Sequence, residues 1–313
     1  MGILNIRLAK RGESKAIIGI AGVSGSGKTY TALKIARGMV SKASEIGFLD
    51  TENKRGSLYA DILDGEFMIG DLYPPFSPSR YRDAIKEFQE AGVKVLVIDS
   101  VSHEWEGEGG VDDIANIKMG KSNMPNWILA KREHKAFMNT LLQSTMNIIC
   151  CLRAREKTDF KNPKEPVSLG IQPVCEKNFM FEMTASLLME NEGKTQKFLK
   201  IPEFLRSAFG TGSGYLGEAT GKKIIDWINT GEKEDPVITK LKSEMLMACE
   251  FGLAGVIAIW NTLTPAQKKK LESHKNMCKE SAEEYERQAK MADETPQDSI
   301  RNPDGQIAPV NLP

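Results

Sequence analysis

The sequence lacks long apolar runs, a surplus of either charge and the residue spacing of a metal-binding cluster. No run reaches the ~18 apolar residues that a membrane-spanning helix needs, and Met1–Arg7 has no apolar signal-peptide core. We therefore expect a cytoplasmic protein without a membrane partner. The 42 basic and 42 acidic side chains cancel, which argues against a strongly cationic nucleic-acid coat protein but not against a local basic groove. Five cysteines without a C-x-x-C pair and three scattered histidines predict reduced thiols and no zinc site.

The chain is long enough for one large domain and a small appendage, with 313 residues of which 41% are hydrophobic. Its composition changes near Glu232–Pro236, and the pattern beyond is helical. The final stretch holds four prolines and no packing pattern, so we expect disorder there. The predicted organisation is a core over residues 1–233, a helical region over 234–292 and a disordered tail over 293–313.

Apolar segments alternate with helical patterns, which predicts an α/β fold with a mainly parallel central sheet. The strongest segment, Val93–Asp99, fits a parallel strand covered on both faces. Ser77-Pro78 is typical of a helix start. Further strands are predicted at Ala16–Ala21, Glu45–Asp50, Glu66–Ile69, Asn147–Leu152, Phe179–Met189 and Lys197–Ile201. Residues 103–125 and 153–175 break every period and are predicted to be long loops. Parallel strands end on one edge of a sheet, where ligands are expected to bind.

The segment Gly22–Thr29 matches the phosphate-binding motif G-x-x-x-x-G-K-[S/T], between a predicted strand and a predicted helix. Glycines let backbone N–H groups wrap a phosphate, and the helix N-terminus faces its negative charge. Lys28 is expected to reach the β- and γ-phosphates, and the Thr29 hydroxyl to bind Mg²⁺. A purely structural turn is the alternative, and a chance match is expected in about 1% of chains of this length. The predicted nucleotide-binding residues are Gly22, Val23, Ser24, Gly25, Ser26, Gly27, Lys28, Thr29 and Tyr30.

Two acidic residues follow predicted strands. Asp99 ends the strongest strand and is the expected second Mg²⁺ ligand of a P-loop NTPase. The alternative is a strand-end aspartate that caps a turn. Glu52 comes just past the Glu45–Asp50 strand, where a carboxylate can face the γ-phosphate and polarise a water molecule. The alternative is a surface glutamate in a polar loop.

This arrangement resembles the RecA-like core of P-loop NTPases. The resemblance spans about residues 15–230 and excludes the helical region. Ser102–Gly107 makes the chain similar to one branch, the RecA-like ATPases encoded by bacteriophages. The segments that carry the resemblance are Gly22–Thr29, Phe48–Glu52, Tyr73–Pro78, Val97–Ser100, Ser102–Gly107 and Cys151–Lys157. It implies Mg²⁺-dependent binding and hydrolysis of ATP to ADP, with Lys28 and Glu52 catalytic and Glu52 the hydrolytic base.

The resemblance also implies partners. RecA-like cores usually place nucleotides at subunit interfaces, so a ring-shaped or filamentous homo-oligomer is expected. Phage ATPases of this branch are commonly encoded among recombination and replication genes. Single-stranded DNA, other proteins of phage recombination or replication, and the host-cell cytoplasm follow as expectations.

Arg153 departs from recombinase RecA, which has glutamine at the end of the equivalent strand. An arginine here could act catalytically by sensing the γ-phosphate or stabilising charge during transfer. It could also contact a neighbouring subunit's nucleotide or a DNA phosphate, or be a solvated strand-end residue. Residues 157–175 lie where RecA-like proteins carry a DNA-contacting loop, and Lys157, Lys161 and Lys164 could track phosphates. An ordinary flexible loop is the alternative.

Two other functions stay open on the sequence alone. A small-molecule or nucleoside kinase would share the P-loop, but Arg153 and Arg155 would make a thin lid and no aromatic acceptor pocket is evident. A nucleotide-switched interaction module would use the helical region to dock a partner. Stimulation of ATP hydrolysis by single-stranded DNA would distinguish an ATP-dependent DNA-processing protein from both alternatives. No residue fixes the nucleotide base, so ATP follows from the resemblance.

Overall fold

The structure is a computed structural model that describes residues 15–116, 124–159, 166–230 and 235–293. The chain divides into two compact units, and the division falls at residues 234 and 235. The disordered tail predicted from residue 293 lies outside the described residues, except for Asp293 itself.

The larger unit is built around a sheet that has eight strands in the described residues. These are β1 (Ile17–Gly22), β2 (Ile46–Asp50), β3 (Met68–Asp71), β4 (Val95–Asp99), β5 (Asn147–Asp159), β6 (Val167–Pro173), β7 (Ala185–Glu190) and β8 (Thr195–Lys200). Their order is β3-β2-β4-β5-β1-β7-β8, and β6 pairs with β5. The pairs from β3 to β7 are parallel, whereas β7–β8 and β5–β6 are antiparallel. The predicted α/β class with a mainly parallel sheet is confirmed.

Helices connect the strands and build the smaller unit. They are α1 (Lys28–Met39), α2 (Pro78–Glu90), α3 (Ser102–Glu106), α4 (Val111–Asn116), α5 (Met124–Gln143), α6 (Phe179–Glu182), α7 (Arg206–Phe209), α8 (Glu218–Asn229), α9 (Pro236–Ala248), α10 (Gly252–Thr262) and α11 (Pro265–Asp293). Short 3₁₀ turns lie at Ala43–Glu45, Arg55–Ile62, Asn191–Gly193, Glu203–Leu205 and Cys249–Phe251. The helix predicted at Ser77-Pro78 is α2, with proline in its first turn.

Two hydrophobic layers cover the sheet, one on each face. Successive side chains of a strand point to opposite faces. In β1, Ile18 and Ile20 therefore join the layer that contains α1 and α8, while Ile17 and Ala21 join the layer that contains α2 and α5. Every residue of β1 and of β4 is buried, which explains their near-continuous apolar sequence.

The prediction of a long loop over residues 153–175 is wrong for the described part. Strand β5 continues past Leu152 as far as Asp159 and returns antiparallel as β6. Beyond Leu152 this hairpin is largely exposed, so its residues carry no buried apolar pattern. Backbone pairing holds it, and single-residue periodicity cannot detect such pairing.

Two other predicted segments differ from the structure. The loop predicted over 103–125 contains α3 and α4, which are too short to display a helical period, while residues 117–123 lie outside the described residues. Phe179 begins helix α6 rather than a strand, and β7 starts only at Ala185. The turn at Asn191–Gly193 joins β7 to β8, and the two strands pair antiparallel.

The smaller unit consists of α9, α10 and α11 around its own apolar cluster, which includes Met245, Val256 and Leu271. Within the described residues, Pro236–Thr262 is the one helical stretch with the length and apolar character of a membrane span. Core helices of other proteins pass the same test. Here the stretch is interrupted by the Cys249–Phe251 turn and by Gly252 at φ 71°.

Helices α1 and α8 approach each other so closely that their backbones nearly touch. A Cβ at Gly221 would lie 2.0 Å from the carbonyl oxygen of Ile35, and one at Gly38 would lie 2.0 Å from that of Glu218. Only glycine at both positions allows the two helices to pack at this distance.

Gly221→Ala should therefore lower the free energy of unfolding by about 1–3 kcal/mol, the usual cost of overpacking a core. Urea denaturation followed by circular dichroism measures this change. Lys222→Ala is the matched control, because Lys222 lies next in α8 and its ion pair with Asp226 is exposed. Equal stability of the Gly221 variant and the parent would contradict the close packing of these helices.

Candidate functional site

The predicted phosphate-binding motif forms the turn between β1 and α1. Gly25 and Gly27 adopt φ of 78° and 81°, a left-handed conformation that glycine enters without strain. The Lys28 ammonium group donates a hydrogen bond to the carbonyl oxygen of Val23 at 2.9 Å. This hydrogen bond folds the turn back toward Lys28, the side chain that the motif assigns to phosphate binding.

The groups lining this turn fit a nucleotide phosphate chain. Among the described residues, the buried hydroxyl of Ser26 has no hydrogen-bond partner, although it lies in the turn itself. This hydroxyl packs against Gly22, and the turn residues that face open space are Ser24, Gly25, Lys28 and Thr29. The N-terminus of α1 adds backbone N–H groups directed at the same space.

Thr29 and Asp99 meet beside the turn. The Thr29 hydroxyl donates to Oδ2 of Asp99 at 2.5 Å. Burial raises the pKa of Asp99 to about 6, although the hydrogen bond from Thr29 and the charge of Lys28 oppose that rise. Both side chains offer oxygen, the ligand that Mg²⁺ prefers. The pair that the sequence predicted as metal ligands is therefore in direct contact.

Glu52 is held by Arg153 in a two-pronged ion pair. Nε of Arg153 donates to Oε1 at 2.9 Å, and Nη2 donates to Oε2 at 2.6 Å. Burial acts to raise the pKa of Glu52, but the hydrogen bonds and charge of Arg153 outweigh it, so the pKa lies below its ordinary value. Glu52 is thus an anion with both oxygens engaged. The sequence pattern identified both residues as site candidates but did not predict that they pair.

Asp50 fixes the backbone around Glu52 and was missed as a site residue. Its Oδ1 accepts the N–H of Glu52 and its Oδ2 accepts the N–H of Gly56, each at 2.6 Å. The Asp50 side chain is buried, so these bonds are shielded from water. An aspartate that bonds the backbone two residues on is a recognised turn signature, and Asp50 precedes Glu52 by that spacing.

Thr51 connects this turn to the end of β4. Its hydroxyl accepts the N–H of Ser100 at 2.8 Å and lies 3.1 Å from the carbonyl oxygen of the same residue. Nδ1 of His103 lies 2.7 Å from the same hydroxyl. Burial, and then the charge of Arg153, lower the pKa of His103. The segments after β2 and β4 are therefore hydrogen-bonded to each other.

Helix α3 is anchored to α5 by a buried hydrogen bond. Glu104 is 1% exposed and accepts from Nδ1 of His134 on α5 at 3.0 Å. Burial raises the pKa of Glu104, and the His134 hydrogen bond opposes this. Trp105 packs edge-on against His134, with ring centroids 5.4 Å apart. The segment after Asp99 is thus tied to the core.

Four of the nine predicted nucleotide-binding residues line a single cleft of about 440 Å³, together with the predicted metal and acid residues; the four are Ser24, Gly25, Lys28 and Thr29. It also contains residues that the sequence did not single out, among them Arg55 and Tyr59. Arg155 lies at its rim and pairs with Glu106 at 2.9 Å. Lys28, Thr29, Asp99, Glu52 and Arg153 are all among the lining residues.

The DNA-contact candidates are only partly described. Lys157 is exposed on the part of β5 that extends beyond the central sheet. Lys161 and Lys164 lie outside the described residues. Of the three, the one in the described part of the chain, Lys157, does not line the nucleotide cleft.

Comparison with known proteins identifies a family for most of the larger unit. A family model described as an AAA domain matches residues 14–186. The signal recognition particle 54 kDa protein of Thermococcus kodakarensis is 27% identical over 106 residues, which are 32% of this chain and 24% of that protein. Its counterpart in Thermococcus gammatolerans is 24% identical over 110 residues, 34% of this chain and 25% of that protein. The chain thus spans about a quarter of the length of these relatives.

Among solved structures, the crystal structure of a KaiC-like protein from Pyrococcus horikoshii is similar. It is 16% identical, with a TM-score of 0.37, and the match covers 61% of this chain and 81% of that one.

Replacing Asp50 tests the turn that presents Glu52. Asp50→Asn leaves one carbonyl oxygen for two buried N–H groups, and an unpaired buried donor costs about 1–3 kcal/mol. Amide hydrogen exchange at Glu52 and Gly56 should accelerate by roughly 10-fold or more. Mass spectrometry of the 51–56 peptide measures it. Asp71→Asn, at the exposed end of β3, is the control and should leave that peptide unchanged. Unaltered exchange in both variants would show that Asp50 does not hold the turn.

Proposed function

The chain belongs to the AAA domain family of P-loop ATPases, and on that premise we propose that it binds ATP with Mg²⁺ and hydrolyses it to ADP and phosphate. One observation carries the proposal. The phosphate-binding turn, the Thr29–Asp99 pair and the Glu52 carboxylate line one cleft at the carboxyl ends of the sheet strands. These are the groups that phosphoryl transfer to water requires.

Each side chain has a proposed task. Lys28 leaves the Val23 carbonyl and pairs with β- and γ-phosphate oxygens, while the backbone N–H groups of the turn hold the same oxygens. Thr29 and Asp99 hold Mg²⁺, which supplies charge neutralisation on the phosphates when bound. A water molecule attacks the γ-phosphorus, Glu52 accepts its proton, and the bond to the β-phosphate oxygen breaks.

Arg153 has two successive partners in this proposal. Without nucleotide it donates one hydrogen bond to each oxygen of Glu52, and this pairing lowers the pKa of Glu52 and so its strength as a base. A γ-phosphate is a bidentate acceptor of the same geometry and higher charge, so it competes for the guanidinium group. Transfer of Arg153 to phosphate would free Glu52 and stabilise the charge that develops during transfer.

The finer part of the proposal concerns DNA. We propose that the β5–β6 hairpin contacts single-stranded DNA when nucleotide is bound, in a ring-shaped or filamentous homo-oligomer that acts in phage recombination or replication. Support comes from the resemblance and from the continuity of β5, which runs from Arg153 at the cleft to the exposed Lys157. A displacement of Arg153 can therefore be transmitted to the hairpin along β5 itself.

A nucleotide-switched interaction module is the second candidate, and one feature of the smaller unit favours it. Phe251, which directly precedes α10, is 70% exposed, and Ile257 of α10 is 53% exposed. The sequence of α10 is almost wholly apolar. Exposed apolar groups of this kind are common where a protein binds a partner.

Glu52→Gln should keep ATP binding and reduce turnover by about 10²–10⁴-fold, because the amide keeps the shape of the carboxylate but cannot take the proton. Phosphate release under saturating Mg·ATP measures turnover, and calorimetry measures binding. Lys28→Ala should lose both, since it removes the cation that binds the phosphates. Glu66→Gln, on the exposed segment before β3, serves as a control. Parental turnover in the Glu52 variant would remove Glu52 from the mechanism.

The DNA part is tested by replacing Lys157, Lys161 and Lys164 together with alanine. Single-stranded DNA binding should weaken, and each lost phosphate contact should lower the slope of log K against log salt by roughly 0.7. Basal ATP hydrolysis without DNA should persist, because the phosphate site is built by other residues. Titrations at several salt concentrations measure the slope. Unchanged slope and affinity would mean that DNA binds elsewhere, and no binding by the parent protein with Mg·ATP would favour the interaction module.

A further inference from the structure

The strand order divides the nucleotide cleft into two sides. β1, which carries the phosphate-binding turn, lies between β5 and β7. Asp99, Arg153 and Glu52 all belong to the side of β4, β2 and β5, which is the side assigned to Mg²⁺ and the γ-phosphate. A nucleotide whose γ-phosphate lies on that side has its ribose and base directed toward the ends of β7 and β8.

The turn between β7 and β8 lies directly against the phosphate-binding turn. A Cβ at Gly27 would be 3.7 Å from the carbonyl oxygen of Glu192, and one at Gly193 would be 3.5 Å from the carbonyl oxygen of Ser26. These are ordinary van der Waals distances, so the two turns share a surface. The Asn191–Gly193 turn therefore borders the place where the nucleoside emerges.

A second segment, around Gly214, is hydrogen-bonded to this turn. Nε2 of Gln196 donates to the carbonyl oxygens of Gly193 at 2.7 Å and of Gly214 at 2.8 Å. The N–H of Gly214 donates to the carbonyl oxygen of Lys194 at 2.8 Å. These bonds fix the backbone of the next residue, Tyr215, beside the same turn, and its Cδ1 lies 3.8 Å from the Cβ position of Gly193.

Tyr215 and Tyr30 present aromatic rings to solvent at this border. Tyr215 is 69% exposed and Tyr30 is 49% exposed. Tyr30 shares a face of α1 with Lys34, which pairs with Glu218 at 3.0 Å, so this face is turned toward the segment after Tyr215. The exposed Phe204, by contrast, stacks on Trp227 with centroids 4.2 Å apart. Neither tyrosine makes such a ring contact within the described part of the chain.

We propose that Tyr215, together with Tyr30, forms the base subsite of the nucleotide and selects purine nucleoside triphosphates. This inference rests on the proposed ATP binding and adds the residues that recognise the base. Aromatic rings held on a fixed backbone stack on a base at low entropic cost. Stacking depends on ring area more than on edge groups, so ATP and GTP should bind similarly, and CTP and UTP more weakly.

Calorimetric titration of the full chain with Mg²⁺ and four probes tests the subsite: ATP, GTP, CTP and inorganic tripolyphosphate, which has no base. Tyr215→Ala should weaken ATP and GTP binding on the order of 10-fold and leave tripolyphosphate binding unchanged. Tyr215→Phe should restore purine binding, because the ring is kept, and Tyr30→Ala should act in the same direction as Tyr215→Ala. Phe181→Ala is the matched control, since Phe181 is 58% exposed but precedes β7 at the opposite edge of the sheet.

Two results would overturn the subsite. Unchanged ATP affinity in Tyr215→Ala would mean that the base lies elsewhere, and an equal loss for ATP and tripolyphosphate would mean that Tyr215 only supports the phosphate turn. The proposed ATP binding has a separate criterion. Tripolyphosphate should bind the parent and lose affinity in Lys28→Ala. If Lys28→Ala binds tripolyphosphate as tightly as the parent, the proposed phosphate site itself is wrong. If Lys28→Ala loses affinity but Tyr215→Ala binds ATP like the parent, only the base subsite is wrong.

Discussion

The parallel register of four neighbouring strands is the constraint on which the rest of this site depends. Gly22 of β1 lies beside Arg153 of β5, and Asp50 of β2 lies beside Asp99 of β4. Parallel strands whose helical crossovers share one hand must all end on one edge, so residues distant in sequence are delivered to a common line. A shift of one residue in any pair would turn a site side chain into the core. The buried apolar residues of β1 and β4 hold this register from both faces.

Such convergence concentrates negative charge, and the structure offsets it locally. Asp50 is buried and accepts hydrogen bonds from two backbone N–H groups, Asp99 is buried beside the Thr29 hydroxyl, and Glu52 is paired with Arg153. Burying a carboxylate without hydrogen-bond donors costs free energy, and each of these three carboxylates has its own donors. Asp50 uses bonds that are permanent features of its turn. The partners of Asp99 and Glu52 are side chains that a phosphate or cation can displace, which is what a binding site needs.

β1 separates two kinds of recognition. On the β5 side, charged groups converge where phosphate and metal would lie. On the β7 side, the exposed rings of Tyr30 and Tyr215 border the same turn without adding charge. β5 extends this division outward, because it pairs with β1 as far as Arg153 and with β6 from Ala154 onward. Arg153 stands at that transition, so the residue that holds Glu52 directly precedes the projecting hairpin.

The sequence by itself determined the features that are encoded locally. The Gly22–Thr29 motif, the helix start at Ser77-Pro78 and the buried strand ending at Asp99 are each contained in a short segment, and each lies where it was predicted. Only the tertiary structure decided which distant segments meet. The Glu52–Arg153 pair joins residues 101 positions apart, and Tyr215 reaches the phosphate turn through Gly193 and Gln196. Strand order and exposed hairpin pairing set these contacts, and neither leaves a periodic mark in the sequence, because periodicity records burial within one element and not the identity of its neighbour.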